Sequence, residues 1–200
     1  MRSCLLLGLA MLLTSCGSRE QTGNPSESRS QCQIVVAFAN WYADQLEGSS
    51  VVFAIGDQDY RGDIKDLDFR KLGQDDWVSA PAPPQHLLAR LTTRKTGTDL
   101  QECPELLRLG DRPNIKIGSD AAETARKTVE PGNGFQPYSK VIVTMALPAF
   151  DTRTGEAVLP VREDRAHLLS SLGVVYLKLD KDEGWRPLSV SNVWDTSGVP

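Results

Sequence analysis

The chain has 200 residues, of which 24% are charged and 40% are hydrophobic, and its formal net charge is −4 at pH 7. This acidic balance argues against a nucleic-acid-binding protein, and it would not hold the chain to anionic lipid headgroups. We therefore predict no nucleic-acid partner, and no sequence pattern indicates a cofactor.

The N-terminal fifteen residues have the pattern of an export signal. One positive charge, Arg2, precedes an apolar run over residues 5–13. A membrane-spanning helix needs about 20 apolar residues, so this run is too short to cross a bilayer and matches the hydrophobic segment of a signal peptide. We predict that residues 1–15 are a signal peptide removed before Cys16.

The end of the apolar run reads Leu13-Thr14-Ser15-Cys16 and resembles the lipobox of bacterial lipoproteins. This resemblance implies that a diacylglycerol is attached to the Cys16 sulfur, that the chain is cleaved before Cys16, and that the new amino group is acylated. The membrane would then be a partner through the lipid anchor. Gly17, in place of the Asp that commonly retains such proteins in the inner membrane, favours the outer membrane facing the periplasm. The alternative is an ordinary signal peptide with an incidental thiol at position 16.

Residues 16–31 are polar and rich in Ser, Gly and Glu. We predict that they form a lipidated flexible tether, because they offer no apolar side chain to pack. Residues 32–200 have the length of a single globular domain with a core of ordinary size.

Cysteine usage agrees with export. Cys4 leaves with the signal peptide and Cys16 carries the lipid, so that Cys32 and Cys103 remain. In an oxidising compartment these two predict one disulfide. The alternative is a pair of free, buried thiols.

Helical and strand patterns follow in the first two thirds of the domain. Apolar side chains at helical spacing predict a helix over residues 33–46, with a strand over 34–38 as the competing interpretation. A β-branched run predicts a strand over residues 51–55. Shorter helices are expected over residues 84–94 and 120–129.

The last third predicts an antiparallel meander of four strands, over residues 140–147, 156–162, 173–179 and 185–193. Two turns that begin with Asp and end with Gly separate apolar runs, which predicts hairpins whose glycines take positive φ. Val175, Leu177 and Leu179 alternate with Tyr176 and Lys178, so we expect one sheet face to pack on helices and the other to face water. The predicted fold is α+β, with this meander and one earlier strand in an antiparallel sheet packed by two or three helices.

The C-terminal part also carries a looser resemblance. A Phe before a turn, a Gly-led apolar strand and a Gly-Trp hairpin tip are similar to a group of uncharacterised secreted bacterial proteins. The residues concerned are Phe150, Gly173, Gly184 and Trp185. This resemblance implies secretion and no particular activity.

Residues 57–68 imitate a calcium-binding EF-hand loop. The acidic side chains that fall on ligand positions are Asp57, Asp59, Asp63 and Asp68. Arg61 and Lys65 place cations inside the loop, and Asp68 replaces the longer Glu that chelates calcium. We therefore favour a solvated acidic turn over a metal site.

Other chemical signals are sparse. His86 and His167 lack the spacing of a transition-metal site and are expected on the surface. No nucleophile motif occurs, and we predict no catalytic residue. Trp77 precedes a Pro-rich loop, so it is a candidate anchor for a protein partner; the alternative is a Trp folded under its own loop.

These patterns favour a non-enzymatic envelope domain that acts in binding, inhibition or assembly support, with another envelope protein as its possible partner. One alternative is a periplasmic hydrolase whose two carboxylates the sequence does not identify; such a pair would lie about 5–10 Å apart with one raised pKa. Another alternative is an immunity or stress lipoprotein that binds an incoming protein. Nothing in the sequence indicates the oligomeric state.

Overall fold

The computed structural model describes residues 25–46, 49–54, 72–73, 77–78, 81–91, 103–128, 140–165 and 169–193. The α-helices are α1 (Pro25–Gln45), α2 (Gln85–Leu91), α3 (Pro104–Arg108, continued by a 3-10 turn, Leu109–Asp111) and α4 (Ser119–Thr128). The strands are β1 (Ser50–Ala54), β2 (Trp77–Val78), β3 (Ile115–Ile117), β4 (Lys140–Met145), β5 (Ala149–Asp151), β6 (Glu156–Arg165), β7 (Leu169–Asp180) and β8 (Gly184–Val193).

The strands form one mixed, mostly antiparallel sheet of eight strands in the order β2-β8-β7-β6-β4-β1-β3, with β5 also paired to β6. The predicted α+β class is confirmed, and so is the meander, since β4, β6, β7 and β8 pair as antiparallel neighbours. The earlier strand, β1, departs from the predicted antiparallel arrangement because it runs parallel to both β3 and β4. Its central residues are buried on both faces, which is typical of a parallel strand.

Helices cover both faces of the sheet. On one face, α1 and α3 pack over a core that includes Phe38, Phe53 and Leu159. On the other face, α2 covers Val174 and Tyr176, and α4 places Ala122 beside Ile142 of β4. The fold therefore has three layers, with the sheet in the middle.

Helix α1 begins earlier than predicted. It starts at Pro25, so residues 25–31, which we assigned to the flexible tether, form its first turns. Proline is favoured at a first helical position because its missing N–H needs no partner there, and Glu27 in the first turn complements the helix dipole. Gln31 and Cys32 are already buried, so packing extends the helix where the local composition predicted a coil.

The Asp-to-Gly turns form as predicted. Asp151 Oδ1 accepts the backbone N–H of Arg153 at 2.9 Å, and Asp180 Oδ1 accepts that of Asp182 at 2.9 Å. Gly155 and Gly184 close the two turns with φ of 64° and 77°, a region that side chains with a Cβ rarely adopt. These turns connect β5 to β6 and β7 to β8.

The expectation that one face of β7 would meet water is wrong. Val174 and Tyr176 are buried as fully as Val175 and Leu177, because α2 and β2 cover the second face. The strand opens to solvent at its C-terminal end, where Leu179 is 45% exposed. Alternation along one strand could not reveal this second cover, which comes from residues about 90 positions earlier in the chain.

The predicted Cys32–Cys103 disulfide is present, with an S–S distance of 1.98 Å and a sequence separation of 71 residues. It joins α1 to Cys103, the residue that precedes α3. Further along α1, Arg112 donates to Asp44 at 2.8 Å. The helix α3, absent from the sequence prediction, is thus held against α1.

None of the helices in the described part of the chain is long and apolar enough to cross a bilayer.

Candidate functional site

A small cavity lies between the C-terminal half of α1 and the centre of the sheet. Its volume is about 110 Å³, and both aromatic and polar side chains line it. The lining residues that matter for its chemistry are Phe38, Trp41, Tyr42, Glu163, Ser171 and Gly173. We take this cavity as the candidate site because it is partly enclosed and has a carboxylate in its wall.

Three aromatic rings of α1 form one wall. Phe38, Trp41 and Tyr42 are spaced three and four residues apart, which places them on one helix face. Their ring centroids lie between 5.5 and 6.5 Å from one another. Phe38 is buried, whereas Trp41 and Tyr42 are half-buried. Phe38 thus fixes the cluster in the core while the other two rings border the cavity.

The opposite wall is the sheet, where Gly173 of β7 brings the backbone close. A Cβ at this position would lie 2.7 Å from the carbonyl oxygen of Ser191 on β8, a distance that no side chain could accept. The neighbouring Val174 N–H donates to Ser191 Oγ at 2.9 Å. Glycine is therefore required by the tight β7–β8 approach, and this part of the wall consists of backbone.

The polar part of the wall is a three-residue cluster. The Tyr42 hydroxyl donates to Glu163 Oε2, and Arg165 Nε donates to Glu163 Oε1. Only 16% of the Glu163 side chain is exposed. Burial raises the pKa of Tyr42 to about 12, although the nearby charge of Arg165 acts in the opposite direction. At neutral pH the phenol is therefore a hydrogen-bond donor, and the arrangement suits binding better than proton transfer.

The hydrogen bond from Tyr42 to Glu163 should make the free energy of unfolding depend on pH. Replacing Tyr42 by Phe removes a hydrogen bond to a charged acceptor and should cost about 1.5–3 kcal/mol of unfolding free energy at pH 7. Because the pKa of Tyr42 is about 12 in the fold against 10.0 for the free side chain, this contribution is complete below pH 10 and is lost as the pH rises towards 12. Urea unfolding at several pH values measures it.

We expect the stability difference between wild type and Tyr42→Phe to be constant from pH 7 to about 9 and to shrink above pH 10. Other groups that titrate in this range are present in both proteins and cancel in the difference. A difference that stays constant up to pH 12 would show that Tyr42 does not titrate as its burial requires.

The β5–β6 hairpin carries a second polar cluster. Asp151 and Glu156 face each other across the two strands, His86 Nε2 lies 3.9 Å from Asp151, and the Tyr176 hydroxyl donates to Glu156 at 2.6 Å. The hydrogen bond from Arg153 lowers the pKa of Asp151, and that from Tyr176 lowers the pKa of Glu156. Neither carboxyl group has the raised pKa of a general acid, so this pair lends the hydrolase hypothesis no support.

An open groove of about 420 Å³ lies at the N-terminal end of α1, next to the same hairpin. Arg90 borders it and donates to the carbonyl oxygen of Phe150 at 2.5 Å, while Arg153 pairs with Asp151 at 3.2 Å. Glu27 of α1 also lines the groove. Because two cations and two anions share this surface, its charge selects no class of ligand.

The disulfide lies beside a carboxylate. Possible ligand atoms of Cys32, Cys103 and Glu105 lie within 4.8 Å of one another, and Glu105 Oε2 is 3.1 Å from the Cys32 sulfur. A disulfide sulfur has no hydrogen to donate, so this distance is a contact. Metal binding by cysteine requires the thiolate, which the S–S bond removes.

The structure places Trp77 differently from the partner-anchor interpretation. Trp77, the first residue of β2, is 7% exposed. Its ring packs with Leu87 and Leu88 of α2. Its Nε1 has no hydrogen-bond partner in the described part of the chain. Strand β2 pairs with β8, and the Trp77 ring packs against α2.

The remaining predicted residues are placed as follows. The side chain of His86 is 56% exposed, as expected. Cys16, the calcium candidates Asp57, Asp59, Asp63 and Asp68, and His167 lie outside the described residues.

Comparison of the chain with known protein families, with known proteins and with solved structures finds no match.

Sequence reasoning did not find the Tyr42–Glu163–Arg165 cluster. Tyr42 was recognised only as part of an apolar helix face, and Glu163 lies 121 residues later in the chain. The one available signal was the charged run that follows the apolar part of β6. Its period of two places Glu163 and Arg165 on one face of the strand, and Arg162 and Asp164 on the other.

Proposed function

We propose that this protein is an exported lipoprotein anchored through Cys16, whose periplasm-facing domain binds a ligand or partner at the cavity between α1 and the sheet. The observation that carries the export part is the Cys32–Cys103 disulfide. Such bonds persist in oxidising compartments and are rare where thiols are kept reduced. The N-terminal apolar segment and Cys16 support the same compartment.

The start of α1 limits how far the domain can stand from the membrane. Nine peptide steps separate Cys16 from Pro25, and a fully extended chain of that length reaches about 30 Å. Tyr42 lies seventeen residues further along α1, which is about 25 Å of helix. Pro25, where the tether joins the domain, and the cavity therefore lie at opposite ends of α1.

Binding accounts for the cavity better than catalysis does. The Glu163 carboxylate accepts hydrogen bonds from Tyr42 and Arg165, so both of its oxygens are held in the cavity wall by charged or polar donors. The aromatic wall supplies apolar contact area, which is the usual composition of a small binding site.

Metabolic labelling with an alkyne fatty acid tests the anchor. Wild-type protein should be labelled and should have a mature N-terminal mass that starts at acylated Cys16, whereas Cys16→Ser should not be labelled. Cys4→Ser is the matched control, since Cys4 leaves with the signal peptide and its loss should not change labelling. An intact Met1 or an unmodified residue 16 in the native protein would overturn the proposal.

Affinity purification from native envelopes tests the binding part. We expect a partner that is retained by wild-type protein and lost from Ser171→Phe, whose larger side chain would fill the cavity. Glu156→Gln, which changes the hairpin outside the cavity, should retain it. Equal retention by Ser171→Phe would place binding elsewhere on the domain.

A further inference from the structure

The cavity has the size of a small chemical group. At about 110 Å³ it is smaller than the roughly 150 Å³ apolar cavity that accommodates benzene. It can therefore hold the end of a side chain or a molecule of a few heavy atoms, and its wall chemistry should decide which.

The aromatic wall favours a positive charge. The faces of Trp and Tyr rings carry negative electrostatic potential and attract ammonium and guanidinium groups within about 6 Å. Trp41 and Tyr42 border the cavity together, with ring centroids 6.5 Å apart. Two half-buried rings at this spacing can contact one compact cation at the same time.

The Glu163 carboxylate, whose charge Arg165 balances, can supply hydrogen-bond acceptors for such a group. An ionised carboxylate offers about four lone-pair positions, and here Tyr42 uses one on Oε2 while Arg165 uses one on Oε1. Among the described residues, acceptor capacity therefore remains on both oxygens. Arg165 itself shows that a guanidinium group can approach Glu163, and Ser171, paired with Glu163 across β6 and β7, adds a hydroxyl to the same wall.

We infer that the cavity binds a compact organic cation, an alkylammonium or alkylguanidinium group, with its alkyl part against Trp41 and Tyr42 and its N–H groups towards Glu163. The inference rests on the proposed binding function and names the chemistry of its ligand. The same group occurs on a free amine and on a Lys or Arg side chain of a protein partner.

The test is a titration of the purified mature protein, followed by the NMR signals of the Trp41 and Tyr42 rings. n-Butylammonium and methylguanidinium should shift these signals with a Kd on the order of 1 mM, as expected of a ligand with few heavy atoms. Neutral 1-pentanol, of similar shape, should bind at least about tenfold more weakly, because its single neutral O–H donates a weaker hydrogen bond to a carboxylate than a charged N–H group does.

Three variants separate the carboxylate from the general fold. Glu163→Gln should weaken cation binding at least about tenfold, and Ser171→Phe should abolish it by occupying the space. Glu156→Gln is the matched control, because Glu156 lies on the same strand and also accepts a hydrogen bond from a tyrosine, yet it is outside the cavity; it should bind as wild type does. Circular dichroism establishes whether each variant is folded. If Glu163→Gln does not fold, Ser171→Phe remains as the test of the cavity.

A second arm distinguishes the source of the cation. Gly-flanked peptides with a central Lys or Arg are compared with the same peptide carrying norleucine. Tighter binding of the cationic peptides than of the free amines identifies a protein partner, and binding of the free amines alone identifies a small molecule; both support the inference.

Equal binding of 1-pentanol and n-butylammonium, or unchanged cation binding by Glu163→Gln, would overturn it. If no cation binds while the Ser171→Phe-sensitive partner is still captured, the proposed binding function stands and only the ligand class is wrong.

Discussion

Replacing both Cys32 and Cys103 by Ala is expected to lower the free energy of unfolding by about 4 kcal/mol. The disulfide closes a loop with a sequence separation of 71 residues, and the chain-entropy model assigns a cross-link of this length about that stabilisation. Alanine is chosen because Cys103 is 2% exposed and Cys32 is 9% exposed, where a serine hydroxyl would be buried. Urea unfolding under oxidising conditions measures the difference.

The reduced wild-type protein is the control for this prediction. A dithiol reductant should lower its stability to nearly that of the double variant and should leave the variant unchanged. The Arg112–Asp44 ion pair also holds α1 to the segment after α3, but both side chains are exposed, and such pairs contribute at most about 1 kcal/mol. Equal stability of wild type and variant without reductant would mean that the bond does not form in the native protein.

Replacing Leu177 by Ala is expected to cost about 2–5 kcal/mol, the range measured for leucines deleted from packed cores. Leu177 is 0% exposed and packs in the core between α1 and the sheet. Leu179→Ala is the matched control, because it is the same residue type two positions along the same strand, yet 45% exposed. Its loss should cost less than about 1 kcal/mol. Chemical unfolding of both variants decides the comparison.

If both variants lost a similar free energy of unfolding, the core along β7 would not end between Leu177 and Leu179, as it does in the structure. The comparison matters because simple alternation assigns Leu177 and Leu179 the same environment. Their difference arises at the end of β7, next to the β7–β8 turn, where Leu177 packs in the core and Leu179 is exposed.

The amino-acid sequence predicted the elements whose signals are local. The helix predicted over residues 120–129 and observed over Ser119–Thr128, the hairpin turns at Gly155 and Gly184, and the strands of the meander follow from spacing, capping and turn residues that lie within a few positions of one another. The Cys32–Cys103 pairing was also predictable, because once the two N-terminal cysteines are assigned to the signal and the lipid, two remain.

The candidate site was not predictable in the same way. Tyr42 and Glu163 are 121 residues apart, and their meeting depends on which part of the sheet α1 crosses. The position of Trp77 was left open for a related reason, since a two-residue strand has too little pattern to predict its pairing with β8.

By itself, the sequence determined the α+β class, the antiparallel meander and the disulfide, because each is encoded by neighbouring residues or by a simple count. The tertiary structure alone decided that β1 runs parallel to its neighbours, that helices cover both sheet faces and that a carboxylate meets three aromatic rings in a cavity. Those features depend on strand order and helix placement, which arise from the burial of many weakly specific apolar side chains at once rather than from any local pattern.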